Sequence, residues 1–166
     1  MELNYLQNTV YKTAINAGVN DVPARLIVSQ FAHESANFTS PVFIRNNNPM
    51  GMKVPSVRKS PYILGAGSKA PSNEGATPYA RYASLTDATL DFLHWLKFNH
   101  VNPNSLTTPE IYASVLKSKG YYGASISDYT AAMKRFFSRF ANATIPTGGS
   151  VVVLIIIAAT LYFLIH

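Results

Sequence analysis

Residues 21–35 read DVPARLIVSQFAHES. Asp21 suits a helix N-terminus, and Pro23 suits the first turn of a helix, where its missing N–H costs no hydrogen bond. Apolar side chains then recur at helical spacing, at Leu26, Ile27 and Phe31. This segment predicts a core helix that ends at Glu34-Ser35.

Glu34 is the carboxylate that this helix does not explain. The dipole at a helix C-terminus disfavours a negative charge, and the nearby sequence is aromatic or amide-bearing. Such surroundings raise the pKa of a carboxyl group and keep it protonated, as a glycosidic general acid requires. An exposed glutamate at a helix end fits the same residues equally well, so the pattern alone leaves both interpretations open.

The remaining segments predict a mainly helical α+β fold. Four have amphipathic helical spacing with a start or stop signal: residues 1–17 before Gly18, a helix opening at Ser84-Leu-Thr-Asp87, one from Thr108 to Lys119, and one from Ser127-Asp128 to Phe140. Residues 36–53 are expected to form a polar loop. Residues 54–82, rich in proline and glycine, are expected to form a small β or irregular lobe.

Composition excludes several functions. The 166 residues suit one compact domain, and the absence of cysteine excludes a disulfide scaffold, a thiolate zinc site and a cysteine nucleophile. His33-Glu34 begins a zincin motif, but Asn37 replaces its second histidine, so no metal or other cofactor is expected. The net charge of +6 is spread along the chain without an arginine-rich helix, so nucleic acid is not an expected partner.

Most of the eight carboxylates have simple local explanations, since they fall at predicted helix starts or at the N-terminus. Asp91 lies in the middle of a predicted helix and is expected on its solvated face. Glu74 lies in the glycine-containing lobe and is a candidate second carboxylate that positions a water molecule. An ordinary solvated loop glutamate explains Glu74 equally well.

The C-terminal residues 151–165 read VVVLIIIAATLYFLI, with one hydroxyl group and no charge. Fifteen helical residues rise about 22 Å, and with their flanking residues they approach the roughly 30 Å of a bilayer core. A buried helix is the alternative, but it should show a polar face. The sequence thus predicts a domain over 1–144, a Pro/Gly linker over 145–150 and one transmembrane anchor over 151–166.

Four short segments carry a family resemblance. They are Glu34-Ser35, Asn47-Asn48-Pro49-Met50-Gly51-Met52-Lys53, Tyr79-Ala-Arg-Tyr82-Ala-Ser84 before a helix ending in Trp95-Leu96, and Gly120-Tyr121 with Tyr129 downstream. In this order they resemble motifs of the bacterial endo-β-N-acetylglucosaminidases, the flagellar-muramidase and autolysin type of peptidoglycan hydrolase. The resemblance covers roughly residues 22–140. Residues 122–125 depart from it, because YGAS stands where the family has A-T-D-P.

The resemblance implies a lysozyme-like fold with a cleft between a helical part and a small β lobe. It implies that Glu34 is the general acid, that Glu74 is the second carboxylate and that Tyr121 lies near the scissile bond. It also implies a set of substrate-binding residues: Ser35, Asn47, Asn48, Gly51, Tyr82 and Tyr129. Lytic transglycosylases share the Glu-Ser pair and the fold, need one acid and release an anhydro sugar, so that reaction is an alternative.

A wall hydrolase with a C-terminal anchor and no N-terminal export signal is best explained by a phage. The expected location is a virion membrane, or otherwise a bacterial membrane facing the wall, and the expected role is wall penetration or lysis. The expected partners are the glycan strands of peptidoglycan, a lipid membrane through residues 151–166 and other virion proteins. The rival class is a non-catalytic, membrane-anchored glycan-binding or structural virion protein.

Overall fold

The computed structural model describes residues 1–69 and 76–146. In these ranges it contains six α-helices, one short 3-10 helix and two short strands. The elements are α1 Tyr5–Asn16, α2 Asp21–Glu34, α3 Pro41–Asn46, β1 Gly65–Ala66, β2 Ala80–Arg81, α4 Leu85–Phe98, the 3-10 helix Pro103–Ser105, α5 Pro109–Ser118 and α6 Ile126–Phe140.

Side-chain caps start most of the helices, and they confirm the predicted signals at Ser84 and Thr108. The hydroxyl of Ser84 accepts a hydrogen bond from the N–H of Asp87, 3.1 Å away, and Thr108 caps α5 in the same way. The last helix begins earlier than predicted, because Ser125 caps it and not Ser127. Asp21 does not cap α2; it lies in the first turn, where it pairs with Arg25.

Helix α2 is the centre of the core and packs against both α1 and α6. The side chains of Leu26, Ile27 and Phe31 are completely buried, as their spacing predicts. The Phe31 ring meets the Phe92 ring of α4 edge-on, with 5.8 Å between the ring centroids. Burial on this scale stabilises the fold by about 2 kcal/mol per large side chain, so the end of α2 projects from a rigid element.

The small lobe is an antiparallel hairpin in which Gly65 pairs with Arg81 and Ala66 pairs with Ala80. An isolated bridge between Lys53 and Tyr79 extends the pairing by one more segment of chain. This confirms the predicted small β or irregular lobe.

The loop predicted over 36–53 is wrong in part, because it contains α3. Ser40 caps this helix and Pro41 occupies its first turn, while Asn47 ends it in the left-handed conformation with φ of 49°. At six residues, α3 is too short to show helical periodicity in the sequence.

Asp91 is not on a solvated face, contrary to the sequence-based expectation. Its side chain is completely buried and forms an ion pair with Arg58, whose Nη2 lies 3.0 Å from Oδ2. The same oxygen accepts a hydrogen bond from the Tyr82 hydroxyl at 2.7 Å. The small lobe covers this side of α4, so Asp91, which has no partner on its own helix, is paired with Arg58 and Tyr82.

The predicted fold class needs a second correction, because it included one transmembrane helix over 151–166. Those residues and 147–150 lie outside the described part of the chain. Within 1–69 and 76–146, no helix is both long and apolar enough to cross a bilayer. The membrane localisation rested on that helix and is corrected with it. The described residues form a mainly helical α+β fold.

Gly67 offers a test of how the lobe is joined to α3. A Cβ atom at this position would lie 2.4 Å from Oδ1 of Asn46, which accepts a hydrogen bond from the N–H of Ser68. We therefore expect Gly67→Ala to lower the free energy of unfolding by about 1–3 kcal/mol, measured by urea denaturation. The control is Gly123→Ala, where the space is open and no change is expected. An equally stable Gly67→Ala variant would contradict this account.

Candidate active site beside Glu34

Glu34 is the last residue of α2, and its carboxyl group accepts a hydrogen bond from a residue of α6. The hydroxyl of Tyr129, on α6, donates a hydrogen bond to Oε1 of Glu34 at 2.8 Å. The Tyr129 side chain is itself buried. Close packing of α2 against α6 brings the two residues together across 95 positions of sequence.

Burial raises the pKa of Glu34 above its ordinary value, and the hydrogen bond from Tyr129 opposes this shift without cancelling it. Glu34 therefore holds its proton to a higher pH than a solvated glutamate does. Burial, reinforced by the nearby Glu34 charge, raises the pKa values of Tyr112, Tyr121 and Tyr129 as well. These hydroxyl groups stay protonated, and each donates a hydrogen bond: Tyr129 to Glu34, Tyr112 to Gln30 and Tyr121 to the carbonyl group of Met50.

A cavity of about 360 Å³ opens at Glu34, between the helical part and the small lobe. Its lining residues are Glu34, Ser40, Val42, Asn48, Met50, Gly51, Tyr79, Tyr121 and Tyr122. Among the residues that the structure describes, Glu34 is the one carboxylate in this lining. The cavity is therefore built as a glutamate surrounded by hydroxyl, amide and aromatic groups.

A second cavity of about 500 Å³ shares the lining residues Met50, Gly51 and Tyr121 with the first. Trp95 lines this second cavity, and its ring meets the Tyr121 ring at 5.1 Å between centroids. We refer to the two cavities, which share these three residues, as the groove. A groove with aromatic walls suits a chain of sugar rings, whose apolar faces pack on such surfaces.

The structure brings four of the predicted site residues to this groove: Glu34, Asn48, Gly51 and Tyr121. Asn48 is completely buried, and its amide also donates to the carbonyl groups of Met52 and Ala80, each at 2.8 Å. It thereby ties the turn to the small lobe. Gly51 adopts φ of 61°, a conformation that favours glycine.

The four other predicted substrate-binding residues do not line either cavity and make contacts within the protein. Asn47 donates to the carbonyl groups of Tyr82 and Ala83. Tyr82 is buried against Asp91, and Ser35 is completely buried. Tyr129 donates its hydroxyl hydrogen bond to Glu34. Glu74 lies outside the described residues.

Ser35 holds a strained turn directly after Glu34. Its hydroxyl donates to the carbonyl group of Phe31 and accepts from the N–H of Phe38 at 2.8 Å. The three residues Ala36, Asn37 and Phe38 all have left-handed backbone, with φ of 48°, 58° and 65°. Such residues cost on the order of 1 kcal/mol each, and strain of this kind is concentrated at functional sites.

Sequence reasoning missed Tyr79 and Tyr122 as residues of the Glu34 cavity. Tyr79 is the first residue of the Tyr79–Ser84 motif, but its place in a motif does not show whether its side chain faces a cleft. Tyr122 lies in the segment where the chain departs from the family pattern, so the resemblance gave it no role. Within the described ranges, no group of three histidine or acidic side chains is arranged to hold a metal ion.

Comparisons with known proteins concern the fold and the family of the chain. The chain is similar to one chain in the structure of a type VI secretion system effector–immunity complex from Pseudomonas protegens. The TM-score is 0.58 at 18% identity, over 83% of this chain and 96% of that chain, which shows a shared fold. No curated protein matches the sequence. The family model for glucosaminidases, described as mannosyl-glycoprotein endo-beta-N-acetylglucosaminidase, matches residues 11–145.

Proposed function

We propose that this chain, which belongs to the glucosaminidase family, cuts the glycan strand of peptidoglycan with Glu34 as general acid. Membership of the family makes it a glycosidase that acts on peptidoglycan. The observation that carries the proposal is the half-buried Glu34 carboxyl group at the groove, with a raised pKa and one hydrogen-bond donor, Tyr129. A protonated carboxyl group in such a place can protonate a leaving oxygen.

In the proposed reaction, Glu34 donates its proton to the glycosidic oxygen as the bond to the anomeric carbon breaks. Positive charge then develops on the sugar ring, and water attacks the anomeric carbon. Tyr121 lines both parts of the groove, and its hydroxyl lies 3.5 Å from the carbonyl oxygen of Met50. We assign it to contact the sugar next to the scissile bond.

Glu74 is our candidate for the second carboxylate, which would activate the water. Its support is the resemblance and its place in the sequence between β1 and β2, the strands of the small lobe. An enzyme with one acid can instead close the sugar on itself and release an anhydro product. Lytic transglycosylation is therefore the second candidate, because the enzymes that catalyse it share the Glu34-Ser35 pair and need no second carboxylate.

The products distinguish these reactions. The full chain is incubated with purified peptidoglycan beside a Glu34→Gln variant, and the soluble fragments are analysed by mass spectrometry. We expect fragments with reducing N-acetylglucosamine ends that are absent with the variant. Anhydromuramic ends would make the enzyme a transglycosylase and remove the role of Glu74. Reducing N-acetylmuramic ends would contradict the glucosaminidase assignment.

The predicted virion-associated role in wall penetration or lysis depends on a membrane anchor. Among residues 1–69 and 76–146, no helix is long and apolar enough to cross a bilayer. We therefore propose an enzyme and its polymer substrate without a membrane location.

A further inference from the structure

The segment after Tyr121 is fastened to α5 by one lysine. Nζ of Lys117 donates to the carbonyl oxygens of Tyr122, Gly123 and Ala124, at 3.4, 3.0 and 2.7 Å. It also lies 5.2 Å from the centroid of the Tyr122 ring. An ammonium group has three N–H donors, so this arrangement uses its whole capacity on one loop.

Tyr122, the first residue of the 122–124 loop, contacts Tyr129. The Tyr122 ring stacks on the Tyr129 ring with 3.7 Å between centroids and 8° between planes. The hydroxyl of Tyr122 donates to the carbonyl group of Ala113 on α5 at 2.9 Å, which fixes the angle of the stack. Lys117 and Ala113 therefore hold the Tyr122 ring from both ends.

A second aromatic ring also contacts Tyr129. The His33 ring meets it edge-on, with 5.5 Å between centroids. The Tyr129 ring thus contacts both the Tyr122 ring and the His33 ring, and its hydroxyl donates to Oε1 of Glu34. A chain of contacts leads from Lys117 to the carboxyl group without Lys117 lining the Glu34 cavity.

We propose that Lys117 is a positioning residue for the reaction: it clamps the 122–124 loop, so that Tyr122 holds the Tyr129 hydroxyl on Glu34. This inference rests on the proposed role of Glu34 and deepens it. The loop is the segment that departs from the family pattern, and Lys117 is the tie that this sequence supplies for it.

The surroundings of Glu34 determine what loss of the clamp does. The ionisable groups facing it are Tyr112 on α5, Tyr121 on the loop and Tyr129 on α6, all neutral when Glu34 titrates. His33 precedes it on α2, and burial, followed by the nearby Arg135 charge, lowers the pKa of this histidine. Since the Tyr129 hydrogen bond lowers the pKa of Glu34, releasing that bond raises it.

The test is Lys117→Met in the full chain, with turnover followed on soluble peptidoglycan oligomers across a range of pH. We expect kcat to fall about tenfold, because the proton is less well aimed, with KM little changed. The basic limb of the kcat/KM profile should move to higher pH, following the pKa of Glu34. Lys117→Arg keeps charged donors and should restore most of the activity.

Two further variants separate this mechanism from its alternatives. Lys134→Met removes the same charge from an exposed ion pair with Glu110 and should leave both kcat and the profile unchanged. Tyr129→Phe should reproduce the shift of the basic limb. In that background Lys117→Met should add no further shift, because its effect passes through the Tyr129 hydroxyl and not through its distant charge.

Several results would overturn the proposal. One is a Lys117→Met enzyme with the wild-type profile, and another is a loss of kcat with an unmoved basic limb, since that indicates only a structural role. If Lys117→Met fails to fold, Tyr122→Leu removes the stack and should move the limb in the same direction. An active Glu34→Gln enzyme would instead overturn the proposed function, so the two failures are distinguishable.

Discussion

Glu34→Gln is expected to lower kcat by about a thousandfold while leaving the fold intact. Glutamine matches the shape of the side chain, and its amide oxygen can still accept the Tyr129 hydrogen bond. It has no proton to give to a leaving oxygen. Release of reducing ends from peptidoglycan measures the change. Glu110→Gln, at an exposed carboxylate outside the groove, is the matched control and should remain fully active.

The difference in stability between the Glu34→Gln variant and the wild type should depend on pH. The pKa of Glu34 is raised in the folded protein, so the unfolded chain releases this proton first as the pH rises. Wild-type stability therefore falls as the pH rises from the ordinary value of 4.5 to the higher folded-state pKa. Glutamine does not titrate, so Glu34→Gln should gain stability relative to the wild type across this window.

Thermal unfolding at several pH values checks this expectation. The difference in Tm between Glu34→Gln and the wild type should be smallest at low pH, where both side chains are neutral. It should grow as the pH rises and become constant above the folded-state pKa. A difference that stays flat, together with retained turnover, would mean that Glu34 is an ordinary solvated glutamate and not the acid.

Asp91→Ala is the second substitution with a large expected effect, and it acts on stability. Removing this carboxylate leaves the Arg58 guanidinium buried without its counter-ion, and it takes the acceptor from the Tyr82 hydroxyl. Breaking a buried ion pair from one side costs about 3–5 kcal/mol. We expect a loss of this size in the free energy of unfolding, measured by urea denaturation.

A compensating variant tests the cause of that loss. Replacing the pair together, as Arg58→Met with Asp91→Leu, removes the orphaned charge and should recover the part of the lost stability that this charge causes. The Tyr82 hydroxyl still lacks its acceptor in this variant, so a smaller loss should remain. Lys134→Met disrupts an exposed pair and should leave the denaturation midpoint unchanged. An Asp91→Ala protein as stable as the wild type would show that solvent reaches Arg58 freely.

The sequence predicts the helical frame well, because its signals are local. Caps at Ser84 and Thr108 and the apolar spacing of α2 depend on residues within a turn or two of each other. Asp91 shows where this reasoning ends. Its partner Arg58 is 33 positions away in an irregular lobe, and no local pattern connects an arginine there to the middle of α4.

In the candidate site too, local sequence signals indicate some residues, whereas contacts between residues far apart in the sequence could not be predicted. Glu34 is a candidate acid from the sequence because the helix dipole disfavours a carboxylate at that end, although an exposed glutamate fits the same pattern. Its donor Tyr129 is separated from it by 95 positions. The family resemblance implies that Tyr129 binds substrate, and in the structure its hydroxyl donates to Glu34. Asn47 and Tyr82 were named for the same reason, yet they hold the scaffold.

The left-handed turn after Glu34 limits which substitutions residues 36–38 can accept during evolution. At Ala36, Asn37 and Phe38 a branched side chain would add steric cost to a conformation that is already unfavourable. Glycine would relieve the strain but would also loosen the unfolded chain. Few single substitutions are therefore tolerated in this turn, so backbone geometry as well as side-chain chemistry constrains the sequence beside Glu34.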